Sequence, residues 1–304
     1  MMKRFLCGAL ATALVASTLV VAPASDAASV PKPKYSFNMN KSNKNVVRMS
    51  WKASQLNKET YAPTDAAKKA AKGGVMPTKA KGKILYKKGH KDKALYLDRT
   101  YGVQLKNVKL GSGSWSISAW VKIDQGIGQF TPIVFFAQDL KDASAKWISI
   151  TRGGDDWPNT GAPTIWSHVV KKYDSAKSAV VSEEFPWYNK NGVDADGNAL
   201  WEEGNAFDSK QWVHVVLTVN KKKSVEYGEK GADGYVKGYQ GVTYINGKQW
   251  GNGAIAKKAF SNKTKVFLGI NGWDTPACAY YDDVQFWTKA LTAKQVKKLY
   301  KSQK

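Results

Sequence analysis

From Leu95 onward, short runs of Val, Ile, Trp, Tyr and Phe alternate with polar positions and are separated by clusters of Gly, Asn, Asp and Ser. That pattern predicts strands at 94–97, 115–123, 132–137, 147–151, 212–220, 241–245, 265–268 and 281–287. In 115–121 the period of two puts Trp115, Ile117, Ala119 and Val121 on a buried face, and Ser116, Ser118 and Trp120 on a half-exposed one. Asn246-Gly247, between two such runs, is a type I′ hairpin signal. Hardly any helical periodicity lies between the strands. The expectation is an all-β fold, a two-sheet antiparallel β-sandwich with short peripheral helices.

Two helices are predicted. Pro63, Thr64 and Asp65 open the first, over 66–72, and Gly73-Gly74 closes it. The second runs from Thr292 to Tyr300, with Thr292 and Gln295 at capping-box spacing and Val296 and Leu299 turned to the sandwich. The stretch 51–83 lacks strand alternation and is rich in Ala and Lys, so it reads as a basic insertion or arm within one domain, 29–304. Residues 171–211 read as a second irregular region, broken by Pro186, Gly192, Gly197 and Gly204, and irregular segments of that length usually carry function.

The N-terminus changes the compartment. Lys3 and Arg4 precede the apolar run 5–21, and small residues follow to 28, the pattern of a secretory signal peptide over 1–28. Gly8, Thr12, Ser17 and Thr18 weaken a membrane-spanning reading of that run, so the expectation is a secreted or loosely surface-associated protein without integral membrane association. Cys7 falls inside this leader, which leaves Cys278, between two alanines, as a buried small hydrophobe.

Charge adds a partner class. The net charge is +23, and 31–93 alone carries 17 Lys and Arg against Glu59, Asp65 and Asp92. Such a field favours polyanions such as an anionic cell-wall polymer, while export argues against nucleic acid. Solubility and loose retention at an anionic surface explain the charge equally well.

Four segments resemble the laminin G-like, concanavalin A-like lectin/glucanase jelly-roll modules of exported bacterial proteins. KALYLD at 93–98 with YGV at 101–103 is similar to the family's opening hairpin, with Arg99 where Gly is usual. WSISAWV at 115–121 resembles its F-T-I-S-A-W-V strand, and WVHVVLT at 212–218 with VTYING at 242–247 resembles W-x-H-V-A-x-T and Y-V-N-G. The tail YDDVQFWTKALT at 281–292 is similar to I-D-D-V-R-I-Y-N-R-A-L-S. The resemblance implies a concanavalin A-like jelly roll and a family of carbohydrate-binding modules, adhesins and domains appended to glycoside hydrolases. It also implies a candidate structural calcium at Asp282 and Asp283, with Asp98 as a further ligand.

Chemistry is scarce. A retaining glucanase on this fold needs two carboxylates about 5 Å apart, and no Glu-x-Asp-x-x-Glu string occurs. Glu183-Glu184 and Glu202-Glu203 are adjacent pairs, which in a strand point to opposite faces. There is no Gly-x-Ser-x-Gly elbow and no zinc-ligand spacing, and His214, between two valines, reads as packed. A loop over 192–203 has several calcium-loop offsets but lacks the first ligand. Sugar faces stack on aromatic rings, so the ligand-binding candidates are tryptophans in polar, glycine-bearing surroundings: Trp157, Trp187, Trp201, Trp250 and Trp273. Arg152, Asp155 and Asp156 accompany the first, and Asn271 and Asp274 the last. The expected function is a secreted, non-catalytic carbohydrate-binding module, lectin-like or adhesive, recognising cell-wall or extracellular glycan. The alternatives are a glycoside hydrolase with an unrecognised carboxylate pair, Asp155-Asp156 among the candidates, and a protein-binding laminin G-like surface module.

Overall fold

A computed structural model describes residues 29–71, 74–125, 130–138, 146–152, 163–174, 176, 179–188 and 210–304. In chain order the elements are β1 (Tyr35–Phe37), β2 (Val46–Ser50), α1 (Asp65–Ala70), β3 (Thr78–Lys79), β4 (Leu85–Lys88), β5 (Lys93–Asp98), β6 (Gly102–Leu105) and β7 (Trp115–Ile123). There follow β8 (Pro132–Ala137), β9 (Lys146–Arg152), β10 (Pro163–Asp174), β11 (Ala179–Glu184), β12 (Trp187–Tyr188) and β13 (Val213–Tyr227). The chain closes with β14 (Val236–Ile245), β15 (Lys248–Ile255), β16 (Lys265–Leu268), β17 (Cys278–Trp287) and α2 (Ala293–Gln303).

The strands form two antiparallel sheets. The first has the order β15-β14-β13-β7-β17-β5-β4, with β1 also on β17; the second has the order β11-β10-β9-β8-β16-β6-β2-β3, with β12 on β10. Inward residues of both, among them Leu97, Trp115, Ile117, Phe136, Ile148, Leu217 and Phe286, make one core. The architecture is the expected antiparallel sandwich of jelly-roll type. Asn246 and Gly247 both take positive φ, 49° and 80°, as a type I′ turn requires. No helix of the described residues is long and apolar enough to cross a membrane.

Three expectations change. The face of β7 read as half-exposed is buried, because α2 and the turn at His90 lie over it. The Ser116 hydroxyl donates to the Lys289 carbonyl, and the Trp120 indole donates to Gln303 Oε1 at 3.2 Å while stacking 3.8 Å from the His90 ring. Residues 171–188, read as irregular, hold the end of β10 and all of β11 and β12. Lysines and glutamates on exposed positions of that hairpin hid its alternation, and Glu183 and Glu184 sit on a strand, the one against His168 (2.6 Å) and the other against Lys171 (3.1 Å). The segment 51–83 carries a short 3-10 turn, α1 and β3, and its Trp51, Ala67 and Val75 pack on Phe135, Phe267 and Ile270 on the outer face of the second sheet.

The remaining local readings stand. Thr64 caps α1 by accepting from the Ala67 amide, and Thr292 with Gln295 forms the capping box of α2. His214 is fully buried with Nε2 2.7 Å from the Ser118 hydroxyl, and burial, with His90 nearby, pushes its pKa down to about 3. Cys278 is a buried free thiol.

Candidate functional site

Strand alternation builds the site. In β9, Ile148 and Ile150 fill the core, so Trp147, Ser149 and Thr151 stand on the outer face of the second sheet. Phe135 on β8 and Trp166 on β10 flank them at outward positions, and Phe185 and Phe130 rise at the rim, 39% and 43% exposed. Trp273, from the β16–β17 connection, closes the end nearest 51–83. Together they line a trough of about 250 Å³.

The rings support one another. Trp147 lies 5.8 Å from Trp273 and 5.5 Å from Phe185, and Trp166 lies 5.5 Å from Phe185 and 5.7 Å from its cross-strand partner Trp187. The Trp166 indole donates to Thr151 Oγ1 at 3.0 Å, which fixes the ring's azimuth. Beneath Trp147 and Phe185 the His168 ring packs at 5.3 and 5.2 Å, its Nε2 held by Glu183.

Polar groups stand at one end. Asn271 Oδ1 accepts from the amides of Trp273 and Asp274, both at 2.9 Å, and its Nδ2 donates to Asp274 Oδ2 at 2.6 Å. The Thr275 hydroxyl donates to the Thr60 carbonyl, and the Val75 amide to that of Gly272, so 51–83 pins this turn. Burial among the rings pushes the Asp274 carboxyl up to about 6, against the Asn271 hydrogen bond and the charge of Lys68, which both lower it. The Ser149 hydroxyl is buried in the wall without a hydrogen-bond partner among the described residues. Among the described residues lining the trough, Asp274 is the one carboxylate.

Of the ligand candidates read from sequence, Asn271, Trp273 and Asp274 come together here, and Trp187 stands half-buried beside Trp166. Arg152 ends β9, next to the trough residue Thr151. Trp250 is a correction: it is 7% exposed and belongs to the sandwich core, standing in β15 at a register shift where Gly251 pairs with Thr243 and Gln249 with Tyr244. Asp155, Asp156, Trp157 and Trp201 lie outside the described residues. Sequence reasoning missed Phe135, Trp147, Ser149, Thr151, Trp166 and Phe185. The signal was present, since a tryptophan sharing a strand face with two hydroxyls is unusual for a core.

The carboxylates proposed for calcium serve the backbone. Asp98 Oδ1 accepts from the amide and the hydroxyl of Thr100. Asp282 Oδ2 accepts from the His90 amide and Oδ1 from that of Asp283, where β17 breaks register. Asp98 is paired with Cys278, four residues before Asp282, and the described residues contain no group of three or more His, Cys, Asp or Glu that could hold a metal ion. Calcium takes six to eight oxygens, so a site at Asp282 and Asp283 would need ligands beyond these carboxylates.

Residues 147–297, which carry most of the trough and the closing strand, match the model of the concanavalin A-like lectin/glucanases superfamily. Residues 147–297 are thus similar to the laminin G-like domains of that superfamily. Among solved structures it is similar to domain 4 of AbnA, a GH43 extracellular arabinanase from Geobacillus stearothermophilus, in complex with arabinotriose (24% identity over 73% of this chain and 83% of that one, TM-score 0.48). It is also similar to the botulinum neurotoxin type G receptor binding domain (14%, 84% and 51%, 0.41) and to the binding domain of Paraclostridial Mosquitocidal Protein 1 (13%, 85% and 52%, 0.44). The chain spans about half the length of these two toxin domains. Comparison with curated protein sequences returns no match.

Proposed function

We propose that this chain is an exported, non-catalytic laminin G-like module that binds glycan in the aromatic trough of the second sheet. Trp147, Trp166 and Trp273 supply apolar rings for sugar faces, and Asn271, Asp274 and Ser149 supply partners for hydroxyls. The observation that carries the reading is the Ser149 hydroxyl, buried in an aromatic wall with no partner among the described residues. A buried polar group in that position costs stability, and a ligand hydroxyl would satisfy it. Export follows the leader read over 1–28.

Asp274 favours hydrolysis on one count, since a raised carboxyl suits a general acid. Glycosidic cleavage also needs a second carboxyl about 5 to 9.5 Å away, and Asp274 has no such companion among the described lining residues. Binding is therefore the better reading.

The test is a glycan array followed by an assay of bound sugars for reducing ends, with and without chelator. Trp166→Ala and Trp273→Ala should each weaken binding about tenfold or more with the fold retained, the loss of one stacked ring. Ser149→Ala should weaken it about fivefold while leaving thermal stability unchanged or raised, because no protein partner loses a bond. Wild-type affinity in all three variants would remove the trough as the site, and released reducing ends would make the chain a hydrolase. Loss of binding in chelator would show that the module requires a divalent cation such as calcium.

A further inference from the structure

We infer a second binding site, for the acidic groups of a polysaccharide, on the outer face of the first sheet. One register joins Tyr96 on β5, Tyr280 on β17 and Lys122 on β7; Lys87 on β4, opposite Ala94, stands diagonally beside Tyr96, and Trp212 comes just before β13. Tyr96 pairs with Tyr280 and Tyr280 with Lys122, so these side chains share one face, opposite the core residues Leu97, Ala279 and Val121. Lys87, Lys88, Lys122, Trp212 and Tyr280 line an open cleft of about 560 Å³.

The aromatic rings hold the ammonium groups. Lys87 Nζ lies 3.3 Å from the centroid of Tyr96, and Lys122 Nζ lies 4.3 Å from Tyr280 and 5.7 Å from Trp212. An ammonium seated on a ring keeps its full charge and its outward N–H donors, whereas one paired with a carboxylate is neutralised. Within the described residues no carboxylate is in ion-pair reach of Lys87, Lys88 or Lys122. The acids bordering this face accept hydrogen bonds from neutral groups: Asp124 from the Tyr96 hydroxyl at 2.9 Å, Asp92 from Asn40 Nδ2, and Asp282 from the His90 amide. The result is a set of cations outside any ion pair among the described residues, beside three aromatic rings.

That chemistry fits the carboxylates of an acidic polysaccharide. Single-stranded nucleic acid needs successive open ring faces for its bases, and here lysines occupy the faces of Tyr96 and Tyr280. The site stands apart from the aromatic trough, which lies on the opposite sheet.

The experiment measures affinity for polygalacturonate, a neutral dextran and an oligo-dT at two salt concentrations. Polygalacturonate should bind, and Lys87→Gln/Lys122→Gln should lower its affinity about tenfold and reduce the salt slope by about two. Removing two exposed charges from α2, with Lys297→Gln/Lys298→Gln, should change affinity less than about twofold, because the field of the whole molecule is not the site. Trp273→Ala should leave polygalacturonate binding intact, which keeps this result separate from that of the trough. Equal losses in the two lysine pairs, no effect of Lys87→Gln/Lys122→Gln, or tighter binding of oligo-dT with the same sensitivity would each overturn the inference.

Discussion

A carboxyl walled in by indole rings is easier to keep protonated than ionised, and Asp274 is in that position. Its pKa rises from 3.8 to about 6, burial outweighing the help of Asn271 and Lys68. A raised carboxyl has a definite sign in stability. Between the two values the native chain keeps a proton that the unfolded chain has lost, so stability is full below the unfolded value and falls as pH rises through about 6. Asp274→Asn keeps an acceptor for Asn271 and removes the titration. Urea unfolding from pH 4 to pH 7.5 should show the variant gaining on wild type by about 2 kcal/mol at the upper end. Asp282, also raised to about 6 by burial and by Asp283, leaves a residual slope in both proteins. Identical pH profiles would mean that Asp274 is solvated and that the trough is wetter than its geometry implies.

At the scale of elements, legibility followed where the burial lay. Strands with one dry face announced themselves: β7, β8 and β16 run over the residues expected, because alternation against a core leaves few other readings. β10 and β11 did not, since their distal halves are charged and exposed, and tertiary pairing alone makes them strands. The trough was half visible for the same reason. Asn271, Trp273 and Asp274 stand in a turn, where polar and aromatic residues draw notice, while Trp147 and Trp166 sit in strands that look like core until the second sheet's outer face is known. Trp250 went the other way, a turn-flanking ring that the hairpin aims inward. The join between sheets shows how tightly element positions are set. Tyr188 on β12 reaches across to the first sheet, accepts from the Thr243 hydroxyl at 3.3 Å and packs on Gly241 and Gly253. A Cβ on Gly253 would stand 2.3 Å from Cδ1 of that ring. Gly253→Ala should therefore cost about 1–3 kcal/mol by overpacking, and much less in a Tyr188→Leu background, where the two changes share one space. Chemical denaturation of the single and double variants checks it, and strict additivity would show that the ring is not the obstacle.

For the molecule as a whole, the two proposed sites lie on opposite outer faces, with both sheets and the core between them. Sheets in a sandwich are about 10 Å apart, and each site stands a further side-chain layer outside its own sheet. That separation exceeds the screening length of about 8 Å at physiological ionic strength, so charge on one face reaches the other weakly. No polar side chain is shared: Asp274, Asn271 and Ser149 line the trough, and Lys87, Lys88 and Lys122 line the cleft. The net charge of +23 raises the local concentration of any acidic polymer but does not choose a face. Occupancy of the two sites should then be independent. With polygalacturonate saturating, the Kd for a neutral glycan selected from the array should move by less than about twofold, since coupling needs a differential interaction that this geometry does not supply. Calorimetric titration of the neutral glycan with and without the acidic polymer measures it directly. Competition would put both ligands on one face, whereas independence would make the domain a bridge able to hold a neutral and an acidic polymer together.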